Sequence, residues 1–262
     1  MLRRLELPPL SPKELPEAVR WESEQVLPLD PDTAATDYLP LDTEKERTEV
    51  LLAAAPKPVV EDRIRILEAA GLTPRVVDVE SLALARCVLT VEPPEEGSSV
   101  ALVHIGAHIT YVVLLRGEMV PFVRDVLLAG EHFTETLAEG MGVPFEDAEQ
   151  IKRTAEGTSP EEVLSIVGAV VNELGDEIAR TLYYYRVREG GVEPDRVLLT
   201  GGGSKLTGLG DSLSERLGKP VLSWNPLARS RGDRGDLDTH LIKDVGPLLP
   251  IALGLSLREE EG

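Results

Sequence analysis

The apolar pattern near the middle of the chain predicts three consecutive β-strands. An apolar run at residues 100–103 breaks at 104–108, resumes at 110–115, and is followed by a third run at 119–126. Two β-rich runs joined through a glycine are typical of a hairpin. Gly106 has no Cβ, so a ligand could closely approach the backbone N–H groups of this turn. One glycine is weak support for a ligand site, and an ordinary hairpin is the simpler interpretation.

A second pattern predicts a strand that runs through glycines into a helix. The apolar run 197–199 leads into Gly201, Gly202 and Gly203, and a helix is expected from there to Leu217. Such a helix start offers unpaired N–H groups and the positive end of the helix dipole to an anion or a nucleotide. The spacing fits neither the dinucleotide-binding fingerprint nor the P-loop, whose first glycine and four-residue spacer are absent.

The remaining pattern predicts a small α+β unit at the start of the chain and mainly helices after the three strands. A polar, proline-containing segment at 92–98 predicts the main domain boundary. Polar residues at 229–240, including two Arg-Gly-Asp triplets, predict a solvated loop. The further predicted elements are strands at residues 3–7, 33–41, 48–55, 72–79 and 220–224, and helices at residues 16–27, 59–70, 81–90, 132–140, 145–153, 159–189 and 244–257.

The composition narrows the classes of function open to this chain. Its net charge of −19 over 262 residues repels phosphate backbones and anionic lipid headgroups. No apolar run approaches the roughly 20 residues needed to cross a bilayer, and the start of the chain lacks the features of a signal peptide. Cys87 is the single cysteine, which excludes an internal disulfide and favours a reducing cytosol. We therefore expect a cytoplasmic protein that binds no nucleic acid and reaches a membrane only through a partner.

Four segments resemble the motifs of the actin-like ATPase superfamily. Residues 77–84 resemble its first connecting segment, and residues 104–110 resemble its second phosphate hairpin, which normally begins with Asp. Residues 200–205, Thr-Gly-Gly-Gly-Ser-Lys, resemble the adenosine motif, and residues 246–254 resemble the second connecting helix. All four occur in the order of the superfamily. The resemblance implies an α/β (α+β) protein with the actin-like fold, a duplicated RNase-H-like unit.

Within that superfamily, the chain resembles the PilM family of type IV pilus assembly proteins, which is related to FtsA. The similar stretches are residues 17–24, residues 148–153 and the closing Gly-Pro…Ala-Leu-Gly-Leu run. The resemblance implies a cytoplasmic scaffold of pilus or secretion machinery that binds ATP. It also implies a partner, the cytoplasmic tail of an inner-membrane protein of the PilN type, with self-association as a further option. That partner would place the chain at the periphery of the inner membrane.

The same resemblance implies a layout of subdomains. Residues 1–80 are expected to form the small inserted subdomain with a remnant of the first core. Residues 81–97 are a connecting helix and linker, and residues 98–262 form the second core, with an upper helical subdomain at about 134–190. The family also carries an N-terminal half-domain with the first phosphate hairpin, which this sequence is expected to lack.

The resemblance assigns candidate nucleotide contacts as well. Two interpretations remain open for Glu149 and Lys152, which lie three residues apart on one helix: contact with the ribose, or an ordinary surface ion pair. Glu80 matches the position that orients the attacking water in active relatives, although it fits an exposed residue at a helix start equally well. The other candidates are Gly106, Ala107 and Thr110 for the β- and γ-phosphates, and Gly201, Gly202, Gly203 and Lys205 for adenine and ribose.

The resemblance departs from the superfamily at His104, which stands where relatives have the carboxylate that orients metal-bound water. Neutral imidazole is a poor substitute for a carboxylate toward Mg²⁺. The resemblance implies ATP and Mg²⁺ as cofactors, but the expected lack of the first phosphate hairpin and His104 in place of Asp both argue against phosphoryl transfer. His104 and His108 lack a third ligand nearby in sequence, and no metal site is predicted. We expect an ATP-binding scaffold with at most weak ATPase activity. The alternatives are a small-molecule kinase or ATPase of the same superfamily, or a degenerate paralogue that binds no nucleotide.

Overall fold

The computed structural model describes residues 1–42, 47–155, 157–188, 191–229 and 239–258. The chain divides into two compact units, Met1–Val79 and Glu80–Gly262. Both Arg-Gly-Asp triplets and most of the loop predicted at 229–240 lie outside the described residues. Within the described ranges, no helix is long and apolar enough to cross a membrane.

The first unit is a three-stranded antiparallel sheet with two helices. Its elements are β1 (Leu2–Leu7), α1 (Leu15–Val26), β2 (Ala34–Asp42), β3 (Thr48–Pro56) and α2 (Lys57–Ala69). The strand order is β1-β3-β2, so β3 bonds to a neighbour on both sides. Successive side chains of a strand point to opposite faces, and β3 accordingly alternates between buried and half-buried positions. Its buried face packs with α1 into the core of this unit.

One predicted strand of this unit does not form. The sequence predicts a strand at residues 72–79, but the structure assigns them no regular element. Val76 and Val77 are each 50% exposed. A strand requires a neighbouring strand to accept its backbone hydrogen bonds, and none pairs with this segment in the part of the unit that the structure describes.

The second unit is built on a five-stranded mixed sheet. The strand order is β6-β5-β4-β7-β8, in which β4 pairs antiparallel with β5 and parallel with β7. The parallel pairing brings the carboxyl ends of β4 and β7 to the same edge. The elements are α3 (Glu80–Val91), β4 (Ser99–Ile105), β5 (Thr110–Arg116), β6 (Met119–Val126), α4 (Gly130–Met141), α5 (Phe145–Thr154), α6 (Pro160–Arg188), β7 (Arg196–Thr200), α7 (Leu209–Leu217), β8 (Val221–Ser223), α8 (Pro226–Arg229), α9 (Thr239–Val245) and α10 (Pro250–Ser256).

Helices cover both faces of this sheet. The face carrying Leu102 and Val113 packs on α3 and α10, and the face carrying Val103 and Val112 packs on α4, α6 and α7. This arrangement explains why β4 is apolar at nearly every position, since a strand buried on both faces cannot alternate with polar residues.

The position of α3 differs from the boundary predicted at residues 92–98. Leu84 and Val88 of α3 are fully buried in the same core as Val100, so this helix belongs to the second unit. The chain therefore divides between Val79 and Glu80, and the polar segment is a loop inside the second unit. The sequence pattern favours the polar connection at 92–98 as the boundary, but α3 packs into the core of the second unit, so the boundary lies before this helix.

The prediction of a single helix at 244–257 is also wrong, because a turn interrupts the helix. Residues Gly246–Leu248 form a 3₁₀ turn between α9 and α10. Pro247 and Pro250 have no backbone N–H to continue the helical hydrogen bonds. After the break, α10 lies very close to α3: a Cβ on Gly254 would lie 1.8 Å from the carbonyl oxygen of Ala83, and the guanidinium of Arg86 donates to the Gly254 carbonyl at 2.8 Å.

Candidate functional site

The turn between β4 and β5 is held by the start of α4. Its Gly106 N–H donates to the carbonyl of Ile109 at 3.0 Å, which closes the turn. The carbonyls of Gly106 and Ala107 accept hydrogen bonds of 2.9 Å from the N–H groups of Gly130 and Glu131. The first two donors of α4 are therefore occupied by the hairpin.

Of the three glycines after β7, two pack closely against Ile105 and one lies at the surface. Gly201 has φ +90°, and a Cβ there would lie 2.3 Å from the carbonyl oxygen of Ile105 at the end of β4. A Cβ on Gly203 would lie 2.3 Å from the Ile105 side chain. A Cβ on Gly202 would meet only a methyl of Leu248, at 3.3 Å. Gly201 and Gly203 thus allow the two strand ends to meet, and Gly202 is left at the surface.

The helix expected directly after these glycines begins later. Residues Gly202–Lys205 form one 3₁₀ turn, and α7 begins at Leu209. The glycines therefore do not lead directly into α7. The dipole of α7 does not act at the glycine turn, although the sequence predicts that it would.

A hydrogen-bonded network joins α5 to α4. The Glu149 carboxylate accepts hydrogen bonds of 2.6 Å from both the Lys152 ammonium and the Thr134 hydroxyl. Lys152 also donates to the Gly130 carbonyl at 2.9 Å. Burial alone would raise the pKa of Glu149, but the hydrogen bonds from Lys152 and Thr134 and the charges of Lys152 and Arg153 outweigh burial and lower that pKa. The pair is thus more than a surface ion pair, because the Lys152 side chain is only 12% exposed.

These segments enclose a cavity of about 500 Å³ in the second unit. Of the residues predicted from the sequence, Gly106, Ala107, Glu149, Lys152, Gly202, Gly203 and Lys205 line it. The sequence interpretation missed several neighbours that come from other parts of the chain, although Arg153 directly follows the predicted pair. His104, singled out in the sequence as the replacement of a carboxylate, lines it too, and the missed lining residues are Gly130, Glu131, Phe145, Arg153, Leu206 and Leu248.

Three predicted residues lie outside the lining. Thr110 is fully buried and its hydroxyl donates to the Leu128 carbonyl at 2.7 Å, which fastens β5 to the segment before α4. Gly201 is buried between the strand ends. The Glu80 carboxylate, at the start of α3, accepts a hydrogen bond from the Tyr111 hydroxyl.

His104 lies at the end of β4 and combines deep burial with an unsatisfied ring nitrogen. Its side chain is 6% exposed, and among the described residues its Nδ1 atom has no hydrogen-bond partner. Burial lowers the pKa of His104 to about 4, so the ring is neutral near neutral pH. The Tyr111 ring lies beside it, with ring centroids 6.4 Å apart.

The donor set of the cavity does not suit Mg²⁺, which prefers carboxylate and water oxygens. Among the described residues, no group of three metal-ligand side chains forms. Of the two carboxylates in the lining, Glu149 bonds Lys152 and Thr134, and Glu131 lies 2.8 Å from Nδ1 of His108. His108 is therefore engaged with a carboxylate and does not form a pair with His104.

Comparison with known proteins identifies the family. The family model described as type IV pilus assembly protein PilM matches residues 2–260. The chain belongs to the PilM family. A solved structure, the PilM–PilN type IV pilus biogenesis complex, is 33% identical with a TM-score of 0.87 and covers 98% of this chain and 76% of the matched chain. The resemblance predicted from the sequence motifs is thereby confirmed.

More distant structures show the fold alone. The ethanolamine utilization protein EutJ from Carboxydothermus hydrogenoformans is 24% identical with a TM-score of 0.54, covering 74% of this chain and 59% of that one. MreB 5 of Spiroplasma citri bound to AMPPNP is 13% identical with a TM-score of 0.53, covering 77% and 64%. Together with the PilM match, these structures confirm the predicted actin-like α/β fold.

Proposed function

We propose that this PilM-family chain is a nucleotide-binding scaffold of the type IV pilus assembly machinery. In this proposal it binds the cytoplasmic tail of an inner-membrane partner of the PilN type, and the partner holds it at the membrane from the cytoplasmic side. Family membership over residues 2–260 supports the pilus role, and the similar PilM–PilN complex supports the choice of partner.

The observation that carries nucleotide binding is the convergence of separate chain segments on one cavity. The hairpin after β4, the α5 network and the glycine turn all contribute to its lining. Among the described residues, the N–H group of Ala107, which lines this cavity, has no hydrogen-bond partner and can donate to a phosphate. The lining holds three cationic side chains, Lys152, Arg153 and Lys205, against two carboxylates, in a protein whose net charge is −19. Local positive excess of this kind favours a phosphorylated ligand.

Calorimetric titration with ATP tests this assignment. Replacing Gly202 with Val places a side chain in the cavity beside Leu248, and we expect the ATP affinity to fall by about tenfold or more. Gly210→Val is the matched control, because a Cβ at Gly210 meets no atom within 4 Å and this residue lies outside the lining. Equal ATP affinity in both variants would show that the nucleotide does not use this cavity. Wild-type protein that shows no saturable binding would favour the nucleotide-free alternative.

The partner tail has a separate candidate surface on the first unit. A groove of about 650 Å³ there has an apolar floor that includes Leu7, Leu10 and Trp21, whose side chain is 62% exposed. Four glutamates and a single arginine complete its polar lining: Glu14, Glu17, Glu22, Glu24 and Arg20. Cytoplasmic segments next to a membrane span carry an excess of Lys and Arg, so an acidic groove is complementary to such a tail.

Fluorescence anisotropy with a labelled tail peptide of the PilN-type partner tests the groove. Trp21→Ala should weaken binding by about tenfold or more, because exposed aromatic residues are frequent anchors of interfaces. Leu39→Ala removes an apolar side chain of similar exposure, 51%, that lies on β2 outside the groove, and it should leave binding unchanged. Absence of saturable peptide binding by wild-type protein, or an equal loss in both variants, would reject this surface.

We further propose that the chain is not an efficient ATPase. Glu80, the one candidate for orienting the attacking water, bonds the Tyr111 hydroxyl, and His104 supplies no carboxylate. Catalysis of phosphoryl transfer depends on positioning and on metal-assisted charge neutralisation. Turnover on the order of 1 s⁻¹ in a phosphate-release assay would instead favour the enzyme alternatives.

A further inference from the structure

The starting observation is the side chain at the end of β4. His104 lines the cavity, is 6% exposed, and has a buried Nδ1 atom without a hydrogen-bond partner among the described residues. A buried polar atom without a partner is uncommon, because its desolvation is not offset by a hydrogen bond. A neutral imidazole has one N–H donor and one acceptor, so it can bond directly to a polar ligand group.

The carboxylates around the cavity are engaged by protein groups. Glu149 accepts from Lys152 and Thr134, and Glu131 lies 2.8 Å from His108. Using either carboxylate to coordinate a cation would compete with these existing contacts. The residues present therefore provide donors for an anion rather than oxygen ligands for a hard cation.

We propose that this cavity holds the phosphates of a nucleotide without Mg²⁺, through the His104 ring, the N–H group of Ala107, and the cations of its lining. The inference rests on the proposed nucleotide binding and specifies its chemistry. The role that a metal ion usually has, neutralising phosphate charge, falls here to Arg153 and Lys205, whose long ion pairs with Glu149 (3.5 Å) and Asp244 (3.8 Å) leave their side chains 71% and 46% exposed. His104 is then a specificity-determining residue, because it replaces a metal-orienting carboxylate and makes nucleotide affinity independent of Mg²⁺.

Equilibrium binding of ATP and ADP in Mg²⁺ and in EDTA tests the inference directly. For wild-type protein we expect the two dissociation constants of each nucleotide to agree within about threefold. Affinity that falls by about tenfold or more in EDTA would overturn the metal-free proposal while leaving nucleotide binding intact. Failure to bind either nucleotide in either condition would overturn both this inference and the proposed function, so the two failures are distinguishable.

Substitutions at His104 sharpen the test. His104→Asp introduces the carboxylate that Mg²⁺ prefers, and we expect it to bind ATP about tenfold more weakly in EDTA than in Mg²⁺. His104→Gln keeps a neutral donor and acceptor, and it should bind with moderately reduced affinity that stays independent of Mg²⁺. An Asp variant that bound ATP equally in both conditions would show that position 104 does not face the phosphates. Circular dichroism checks folding, and if the Asp variant is unfolded, the wild-type and Gln comparisons decide the question.

Discussion

The groove of the first unit and the cavity of the second are built in opposite ways. Every residue that lines the groove lies between Leu7 and Glu24, on β1, α1 and the loop between them. The lining of the cavity extends from His104 to Leu248 and is gathered by tertiary packing. The groove is apolar with an acidic rim, which suits an extended basic peptide, whereas the cavity offers backbone donors and cations, which suit phosphates. The proposed peptide surface is thus formed by one local segment of the chain, whereas the proposed phosphate site depends on the packing of segments that are distant in sequence.

This contrast predicts that backbone changes at the cavity damage the fold, while side-chain changes in the groove affect binding alone. The following experiments test that distinction, beginning with the largest expected effect.

Gly201→Ala should be severely destabilising. Its φ of +90° lies in a region that is essentially restricted to glycine, and the new Cβ would lie 2.3 Å from the Ile105 carbonyl oxygen. Backbone strain and overpacking together are expected to cost about 3–5 kcal/mol of unfolding free energy. Gly202→Ala, one residue on, meets only a Leu248 methyl at 3.3 Å and should cost less than about 1 kcal/mol. Urea unfolding measures both, and similar values for the two variants would contradict the division of the glycine run.

His104 should make the second unit sensitive to acid. Burial lowers its pKa from 6.5 to about 4, so the unfolded chain takes up a proton at a higher pH than the folded one. The stability contributed by the neutral ring is present above about pH 6.5 and is lost as the pH falls toward 4, by up to about 3 kcal/mol. Unfolding free energy measured across this range should therefore decline less steeply in His104→Gln. An equal slope in the wild type and in His104→Gln would show that this buried ring does not cause the sensitivity to acid.

A site formed by one local segment and a site formed by distant segments also differ in how far they can be predicted from the sequence. The hairpin around Gly106 follows from short-range periodicity, and the Glu149–Lys152 pair was assigned to a nucleotide site by the family resemblance; the structure places these three residues at the cavity. Phe145 and Leu248 have no comparable pattern, because they reach the cavity through the packing of α5 and the break before α10.

Some sequence patterns were ambiguous for the same physical reason. The three glycines of the run cannot be told apart in sequence, but Ile105 packs against Gly201 and Gly203 and not against Gly202. Thr110 fits a phosphate hairpin in sequence, whereas its hydroxyl is used by the Leu128 carbonyl. The valines of residues 72–79 fit a strand, but strand formation depends on a neighbour that no local pattern specifies.

Lys152→Met should lower stability moderately, because it removes the cation that bonds Glu149 and the Gly130 carbonyl while keeping a side chain of similar length. We expect a loss of about 1–2 kcal/mol, typical of hydrogen bonds to a charged group that stays partly solvated. Lys205→Met is the matched control: its side chain is 46% exposed and its ammonium donates to the Asp244 carbonyl at 3.2 Å, so the loss should stay below about 0.5 kcal/mol. Equal losses in urea unfolding would mean that the α5 network is no more than surface charge pairing.

The smallest expected effect concerns the acidic rim of the groove. Glu17→Gln combined with Glu22→Gln removes two negative charges from the groove lining without changing side-chain size. Rim charges act mainly through long-range attraction, so we expect the affinity for a basic partner peptide to fall by about threefold and its salt dependence to weaken. Glu135→Gln with Glu139→Gln, at exposed positions of α4 in the other unit, changes the net charge equally and should leave peptide affinity unchanged. Fluorescence anisotropy at low and high ionic strength distinguishes the cases: an equal loss in both double variants would assign the attraction to the overall charge of the chain rather than to this groove.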